Sequence, residues 1–174
     1  PEALFVGNML CGQLSNQQNL GALIADHAGL RGIEAIRTEA ACASAAAAMR
    51  AGYLAVASGL MDVVVACGVE KMTDAPGGQT TTALAAAADA TYEGEHGISF
   101  VALNALLMQR YMYEYGYRRE DFAGFGLDAH RHGGNKPKAM FRKAITPAAY
   151  QRAKKINEPG APAVSAATAR DSRR

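Results

Sequence analysis

The first 70 residues alternate between short apolar runs and longer amphipathic segments. Apolar runs at 3–6, 33–38 and 62–68 predict three strands spaced about 30 residues apart, the length of a strand–helix–strand unit. Helices are predicted between them at 16–28 and 42–58. The third run is apolar on both faces, which favours a central, parallel strand. The pattern therefore predicts a layered α/β domain with a βαβαβ core.

The second predicted helix is built almost wholly from small residues. Alanine stands at 45–48 and at 51, so the helix has little bulk on any side. Such a helix can approach a sheet or a partner helix closely, and alanine has the highest intrinsic helix propensity. We expect it to be the central, deeply buried helix of the domain.

After residue 70 the strand pattern is lost and helices dominate. The polar, Gly- and Pro-rich stretch 71–82 predicts a loop, and Thr146-Pro147 predicts a final helix with threonine as its cap. Further helices are predicted at 82–90, 99–115 and 119–132. We therefore expect an α/β part at 1–70, an α-rich domain at 71–158 and a low-complexity, disordered tail at 159–174.

Composition argues against several classes of protein. The chain has 174 residues, of which 49% are hydrophobic and 20% are charged, a balance typical of globular rather than disordered proteins. No apolar run approaches the ~20 residues that cross a bilayer, and no basic-then-apolar signal segment follows Pro1. We expect a cytoplasmic protein without a membrane span.

Charge is distributed unevenly along the chain. Residues 1–130 hold 7 Lys and Arg against 14 Asp and Glu, a balance of −7, whereas residues 131–174 hold 11 against 2, a balance of +9. The basic segment suits a phosphorylated ligand or an acidic partner, or is a solvated tail. A nucleic-acid surface is disfavoured because the tyrosines at 111–117 are separate from the basic cluster.

The three cysteines lack the spacing of a metal site or a disulfide framework. Cys11, Cys42 and Cys67 are odd in number and form no C-x-x-C pair, so we expect neither a bound metal nor disulfides. Cys67 falls in an apolar strand, and we expect it in the core. Cys11 falls in a predicted loop, for which we expect a surface or interface position.

Cys42 has the position of a candidate nucleophile. It follows a predicted strand and opens a predicted helix, where unpaired N–H groups and the helix dipole favour a negatively charged thiolate. A thiolate can accept an acyl group as a thioester, and the same N–H groups can stabilise the oxyanion. Glu39 is expected to accept from a backbone N–H at the helix start. The residues alone leave a second interpretation open, in which Cys42 is a small apolar residue packed in an alanine-rich helix.

Several segments resemble the thiolase family, in the same order along the chain. Cys42-Ala-Ser-Ala-Ala, entering the predicted helix, is similar to the reactive-cysteine segment of that family. The run 62–74 is similar to the strand and loop that follow it, and 7–10 with 17–20 is similar to the segment upstream. Sequences resembling the archaeal and sterol-carrier-protein type branch stand at 96–100, 109–112 and 139–142.

The resemblance implies a thiolase-like layered fold in which an α-rich loop domain is inserted after the βαβαβ core. It implies an acyl-CoA acyltransferase that takes coenzyme A thioesters as substrates and needs no cofactor. Cys42 matches the acyl-accepting nucleophile, and its own N–H matches part of the oxyanion hole. Met72, His96 and Ser99 are expected to contact the substrate. The family also implies a homo-oligomer, and a loop domain whose basic residues cover the anionic nucleotide of coenzyme A.

The sequence departs from the family pattern at several positions. Cys67-Gly68 stands where the family has Gly-Gly, and Asn135-Lys-Pro137 shifts an Asn that normally precedes the proline. The second half of the family fold, which carries an Asn-containing motif, a histidine in a Gly-rich segment and an acid–base cysteine, is expected to be absent. We therefore expect a thiolase fragment that is inactive on its own.

Two other hypotheses stay open. The first is a non-catalytic, thiolase-like fragment that binds acyl-CoA or assembles with a partner. The second is a β-ketoacyl synthase-like protein that uses the same cysteine on a similar helix. The loop Gly68-x-Glu70-x-Met72 favours a thiolase over a synthase.

Overall fold

The computed structural model describes residues 1–153, and the predicted tail at 159–174 lies outside the described residues. The described chain divides into two compact units, one ending at Glu95 and the other beginning at His96. The strands are β1 (Ala3–Gly7), β2 (Glu34–Thr38) and β3 (Val64–Gly68). The helices are α1 (Cys11–Leu14), α2 (Leu20–His27), α3 (Ser44–Ala57), α4 (Gly77–Ala85), α5 (Phe100–Tyr115), α6 (Ala123–Gly134) and α7 (Pro147–Arg152).

The first unit contains a three-stranded parallel sheet in the order β2-β1-β3. Gly7 pairs in register with Thr38 on one side and with Gly68 on the other, so all three strands end at the same edge. The predicted α/β class and the three strands are confirmed. The prediction that the third strand is central is wrong, because β1 takes that place and β3 is an edge strand in the described part of the chain.

Burial follows from this strand order. Every residue of β1 is buried, since strands lie on both of its sides and helices on both of its faces. In β3 only Val64 and Cys67 are half-buried; the other three residues are exposed, and Val65 is 38% exposed. An apolar run on both faces of a strand does not reveal whether both of its edges are paired, which is why the sequence pattern misplaced it.

The N-terminal residues tie β1 to the segment before β3. The Glu2 carboxylate accepts hydrogen bonds from the N–H groups of Asp62 at 2.6 Å and Val63 at 3.1 Å. The bonds from Val63 and then Asp62 hold the pKa of the Glu2 carboxyl below its ordinary value, since both favour the ionised form.

Helices α2 and α3 cover opposite faces of the sheet. Ala48 of α3 packs with Ala3 and Phe5, whereas Ala25 of α2 packs with Leu4 and Val6. Successive side chains of β1 point to opposite faces of the sheet, so each face of this strand contributes to a separate core cluster.

The alanine-rich helix α3 is buried on one side only in the described structure. Its small residues Ser44, Ala48 and Gly52 face the sheet, and a Cβ on Gly52 would lie 3.1 Å from a methyl carbon of Val64. Its opposite side exposes Met49 and Tyr53. The prediction of close packing against the sheet is confirmed, whereas burial on all sides is not seen among residues 1–153.

The starts of α2 and α4 differ from the sequence predictions by several residues, and α4 ends at Ala85 instead of 90. Helix α2 begins at Leu20 instead of 16, because Asn16 and Asn19 adopt left-handed conformations with φ of 49° and 50° that an α-helix cannot accommodate. Helix α4 begins at Gly77, inside the predicted loop 71–82, with Pro76 as its N-cap residue. The Thr81 hydroxyl donates back to the Gly77 carbonyl at 2.9 Å, so this polar residue is accommodated within the helix.

The burial of Cys67 and Cys11 in the first unit tests two of the sequence predictions. Cys67 is half-buried and packs against the cluster of Leu4 and Val6, so the prediction of a core position is confirmed. The prediction of a surface or interface position for Cys11 is wrong, because Cys11 is buried at the start of α1. The first residue of the short helix α1 faces the interior of the unit. The polar residues that surround Cys11 along the chain gave no indication of this burial.

The second unit contains helices, and those predicted at 99–115 and after Thr146 are present as α5 and α7. Ser99 caps α5 by accepting from the Ala102 N–H at 3.2 Å, and Gly116 ends that helix at a φ of 70°. Thr146 caps α7 in the same way, with Pro147 at its first position. Burial raises the pKa of Tyr150 in α7, since the charged phenolate is poorly solvated there. The ring of Tyr111 packs against those of Tyr115, Tyr117 and Phe122.

Among residues 1–153, none of the helices combines the length and the apolar character needed to cross a bilayer.

Candidate active site

The turn between β2 and α3 places Cys42 at the edge of the sheet where the strands end. β2 ends at Thr38, and a single 3-10 turn, Ala41–Ala43, leads directly into α3. Ala41 has a φ of 48°, a left-handed conformation that costs a non-glycine residue about 1 kcal/mol. The chain therefore reverses abruptly, and Cys42 is exposed as a free thiol. The predicted position of Cys42, between a strand and a helix, is confirmed.

Side chains on both sides of the cysteine hold this turn. The Ser44 hydroxyl accepts from the Ala40 N–H at 3.0 Å and donates to the Ala41 carbonyl at 2.6 Å, and Ser44 itself is buried. The Glu39 carboxylate accepts from the Ala41 N–H, which confirms the backbone contact predicted for it. These bonds offset the strain at Ala41, because they are formed only in the reversed conformation.

Removing the Ser44 hydroxyl is expected to destabilise the first unit. Ser44→Ala deletes two hydrogen bonds in a buried setting, so we expect the free energy of unfolding to fall by about 1–3 kcal/mol. Ser58→Ala is a matched control, since the Ser58 hydroxyl also makes two backbone hydrogen bonds but is exposed at the other end of α3. Urea unfolding measures both, and an equal loss in the two variants would contradict this role for Ser44.

Glycines at the strand ends bring the start of α3 against the sheet. A Cβ on Gly7, at the end of β1, would come closer than 3.0 Å to the carbonyl of Ser44. A Cβ on Gly68, at the end of β3, would come equally close to the Ala45 side chain. The first turn of α3 therefore lies directly over the ends of two strands, and the cysteine is carried to the same place.

Cys42 opens onto a cavity of about 340 Å³ within the first unit. On its own side the wall includes Ala41 and Ala45. The rest of the wall includes the strand-end glycines Gly7 and Gly68 and residues of α4 and of the loops after β1 and β3. These residues are Met9, Leu10, Val69, Glu70, Met72 and Leu84. The cavity is mainly apolar and carries one carboxylate, which suits a short hydrocarbon group held beside a thiol.

The structure brings one other predicted substrate residue together with Cys42. Met72 lies in the wall of the same cavity. His96 and Ser99 belong to the second unit, where His96 is exposed and Ser99 is the cap of α5. The predicted substrate contacts of Met72, His96 and Ser99 stay predictions.

A hydrogen-bond network in the cavity wall was not predicted. The Glu70 carboxylate accepts from the N–H of Met9 at 2.5 Å, from the N–H of Leu10 at 3.3 Å and from the Asn8 amide at 3.2 Å. The Asn8 amide also donates to the Val69 carbonyl at 2.6 Å. A signal was present in the sequence, because Asn8 directly follows the first strand and Glu70 closely follows the third.

A second cavity of about 620 Å³ shares Met9 and Ala41 of its wall with the first. Arg37 and Glu39 contribute its charged groups. One guanidinium nitrogen of Arg37 lies 3.2 Å from the Cys11 sulfur and 3.4 Å from the Asn8 carbonyl oxygen. Arg37 therefore ties β2 to the loop after β1. Within residues 1–153, no group of three His, Cys, Asp or Glu side chains has the geometry to hold a metal ion.

Comparison with known proteins gives a consistent result. Residues 2–168 match the family described as Thiolase, N-terminal domain. An acetyl-CoA acetyltransferase of Methanothermobacter thermautotrophicus is 46% identical over 145 residues, which are 83% of this chain and 37% of that protein. An acetyl-CoA acetyltransferase of Methanocaldococcus jannaschii is 41% identical over 145 residues, which are 83% of this chain and 36% of that protein.

A relative of lower identity is named for a different coenzyme A thioester. The benzoylsuccinyl-CoA thiolase subunit BbsB of Thauera aromatica is 32% identical over 148 residues, or 83% of this chain and 36% of that protein. The chain thus spans little more than a third of the length of the relatives that it matches. With a family match over nearly its whole length and a parallel α/β sheet of the expected order of elements, the chain belongs to the thiolase family and represents its N-terminal domain.

Proposed function

We propose that this chain carries the nucleophile of a thiolase-type acyl-CoA acyltransferase and that Cys42 is that nucleophile. One observation carries the proposal: Cys42 is an exposed, free thiol on the strand-to-helix turn, opening onto an apolar cavity. The acetyl-CoA acetyltransferases among its relatives support coenzyme A thioesters as the substrate class.

The chemistry follows from the position of the sulfur. The Cys42 thiolate attacks the thioester carbonyl carbon, and the carbonyl electrons move onto oxygen to give a tetrahedral oxyanion. When the carbonyl re-forms, the bond to the coenzyme A sulfur breaks and coenzyme A leaves as a thiolate that takes up a proton. N–H groups at the start of α3 favour both the attacking thiolate and the oxyanion, because they lie at the positive end of the helix dipole. A second acceptor then removes the acyl group from Cys42.

Other residues extend this proposal to the substrate. Met72 lies in the cavity wall and is assigned to the acyl group, as Met side chains adapt to apolar ligands. His96 and Ser99 are assigned to the substrate on the family resemblance. The basic residues after α6, among them Lys136 and Lys138, are assigned to the phosphates of coenzyme A, since a cluster of positive charge attracts a polyanion. A homo-oligomer in the cytoplasm completes the proposal.

Isotope exchange tests the first half of the reaction. The chain is incubated with acetyl-CoA and labelled free coenzyme A, and transfer of label into acetyl-CoA is followed. The complete thiolase reaction is expected to need the second half of the fold. Exchange is still expected from this chain, because formation and reversal of the Cys42 thioester need only the cysteine and the two forms of coenzyme A. Absence of exchange together with absence of acetylated protein would contradict the proposal.

The same assay separates the alternatives. Binding of acetyl-CoA in equilibrium dialysis without exchange would support the non-catalytic fragment. Faster acylation from carrier-protein thioesters than from coenzyme A thioesters would support a β-ketoacyl synthase-like protein. The Thiolase, N-terminal domain match over residues 2–168 favours the coenzyme A thioester.

A further inference from the structure

The wall of the cavity opposite Cys42 is formed largely by two loops, which lie beyond the paired residues of β1 and β3. The loop after β1 supplies Met9 and Leu10, and the loop after β3 supplies Val69 and Glu70. Backbone pairing ends at Gly7 and Gly68 apart from one bond, from the Val69 N–H to the Gly7 carbonyl at 3.1 Å. Beyond that bond, side chains must fix the separation of the two loops.

Asn8 and Glu70 make those connections, and we call their bonds the Asn8–Glu70 network. Asn8 is buried, and each of its amide atoms has a partner that fixes its orientation. Its nitrogen donates to the Val69 carbonyl and to Glu70, while its oxygen accepts from the Cys11 N–H at 2.9 Å. A carbonyl and a carboxylate can only accept and an N–H can only donate, so only one orientation of the amide satisfies all three bonds.

Both carboxylate oxygens of Glu70 act as acceptors in this network. One oxygen accepts from Met9, and the other accepts from both Leu10 and Asn8. Three donors converge on it, and the adjacent Lys71 is engaged with Asp74 at 2.6 Å. The partners of Glu70 are therefore N–H groups of the opposite loop, so its side chain links the two loops of the cavity wall.

We infer that Glu70 is a positioning residue for acyl transfer, which fixes the wall facing Cys42 through Asn8 and the N–H groups of Met9 and Leu10. The inference rests on the proposed function of Cys42. Glu70 shapes the cavity assigned to the acyl group and has no role in binding the nucleotide of coenzyme A. Its loss is expected to lower the maximal rate of Cys42 acylation and to leave the half-saturating acetyl-CoA concentration unchanged.

Glu70→Gln is the informative change, because it keeps size and removes one acceptor. In either orientation of the new amide, its NH₂ group faces at least one donor that the carboxylate had accepted. We expect the maximal rate of Cys42 acylation to fall at least about ten-fold. Glu70→Asp keeps both oxygens on a shorter side chain and is expected to restore part of that rate. Glu34→Gln on β2 is the control, since Glu34 is exposed and lies outside the cavity wall.

A second measurement does not depend on activity. Cys42 is alkylated with bromotrifluoroacetone, peptide mapping confirms the labelled site, and the fluorine NMR signal reports the surroundings of the label. Glu70→Gln is expected to shift or broaden this signal, Glu70→Asp to do so less, and Glu34→Gln to leave it unchanged. Thermal unfolding identifies any variant that fails to fold. If Glu70→Gln does not fold, Glu70→Asp decides both measurements.

The outcomes separate this inference from the proposed function. A wild-type chain that acetyl-CoA does not acylate would contradict the proposed function, while the fluorine signals would still decide whether Glu70 shapes the cavity. A folded Glu70→Gln variant with wild-type signal and wild-type acylation would overturn the inference. An effect on the half-saturating concentration alone, or an equal effect of Glu34→Gln, would overturn it as well.

Discussion

Cys42→Ala is expected to abolish acyl transfer by this chain. The thiol is the atom that forms the thioester, and the substitution removes it while leaving the Ser44 and Glu39 bonds of the turn in place. We expect exchange between acetyl-CoA and labelled coenzyme A to fall by at least about 10³-fold, as is usual when a covalent nucleophile is deleted.

Cys67→Ala provides the matched control for this result. Cys67 is a second free cysteine of the same unit, half-buried in the core and absent from the cavity wall. It should keep the exchange activity and lose only some stability through the smaller side chain. Exchange that survives in Cys42→Ala, or that is lost equally in Cys67→Ala, would show that another group accepts the acyl moiety.

Gly7→Ala is expected to have the largest effect on stability. The added Cβ would lie closer than 3.0 Å to the backbone of Ser44 and Ala45, neither of which can rotate away. The start of α3 must then lift from the sheet, and overpacking of this kind costs about 3 kcal/mol. Because Cys42 directly precedes this helix, the displacement also moves the thiol relative to its cavity.

Urea unfolding of Gly7→Ala and Gly78→Ala tests this expectation. Gly78 lies in helix α4 of the same unit, and a Cβ there meets nothing within 4 Å. Its replacement is expected to be neutral or to stabilise by about 0.5–1 kcal/mol, the usual gain for alanine over glycine within a helix. A Gly7→Ala chain as stable as wild type would show that α3 does not depend on this close approach.

The sequence pattern was sufficient to locate the strands and helices, but it did not show which strands are neighbours in the sheet. The apolar runs located all three strands found among residues 1–153, and the spacing between the runs predicted that the strands are parallel. Strand order depends on which edges pair in space, so the pattern gave β3 the central position that β1 occupies. Local backbone conformation explains the two wrong helix starts. Asn19 adopts a left-handed conformation, so α2 begins later than predicted, and α4 begins after Pro76, inside the stretch that was predicted to be a loop.

The candidate site was only partly predictable, because sequence patterns report local structure and not which strands lie side by side. Cys42 was identified from local features, namely a strand, a following small-residue helix and a family-like segment. The network of Asn8 and Glu70 depends on residues 62 positions apart that meet only because β1 and β3 are neighbours. Periodicity along a chain does not carry that information, whereas the order of strands in a sheet does.

Peptide mapping of the acetylated chain tests the central claim most directly. The wild-type chain is incubated with acetyl-CoA, quenched in acid, digested and examined by mass spectrometry. The proposed role of Cys42 predicts a single acetyl group, labile to hydroxylamine as thioesters are, on the peptide that contains Cys42. Acetylation of Cys11 or Cys67 instead, or an unmodified Cys42 in a folded chain, would contradict it.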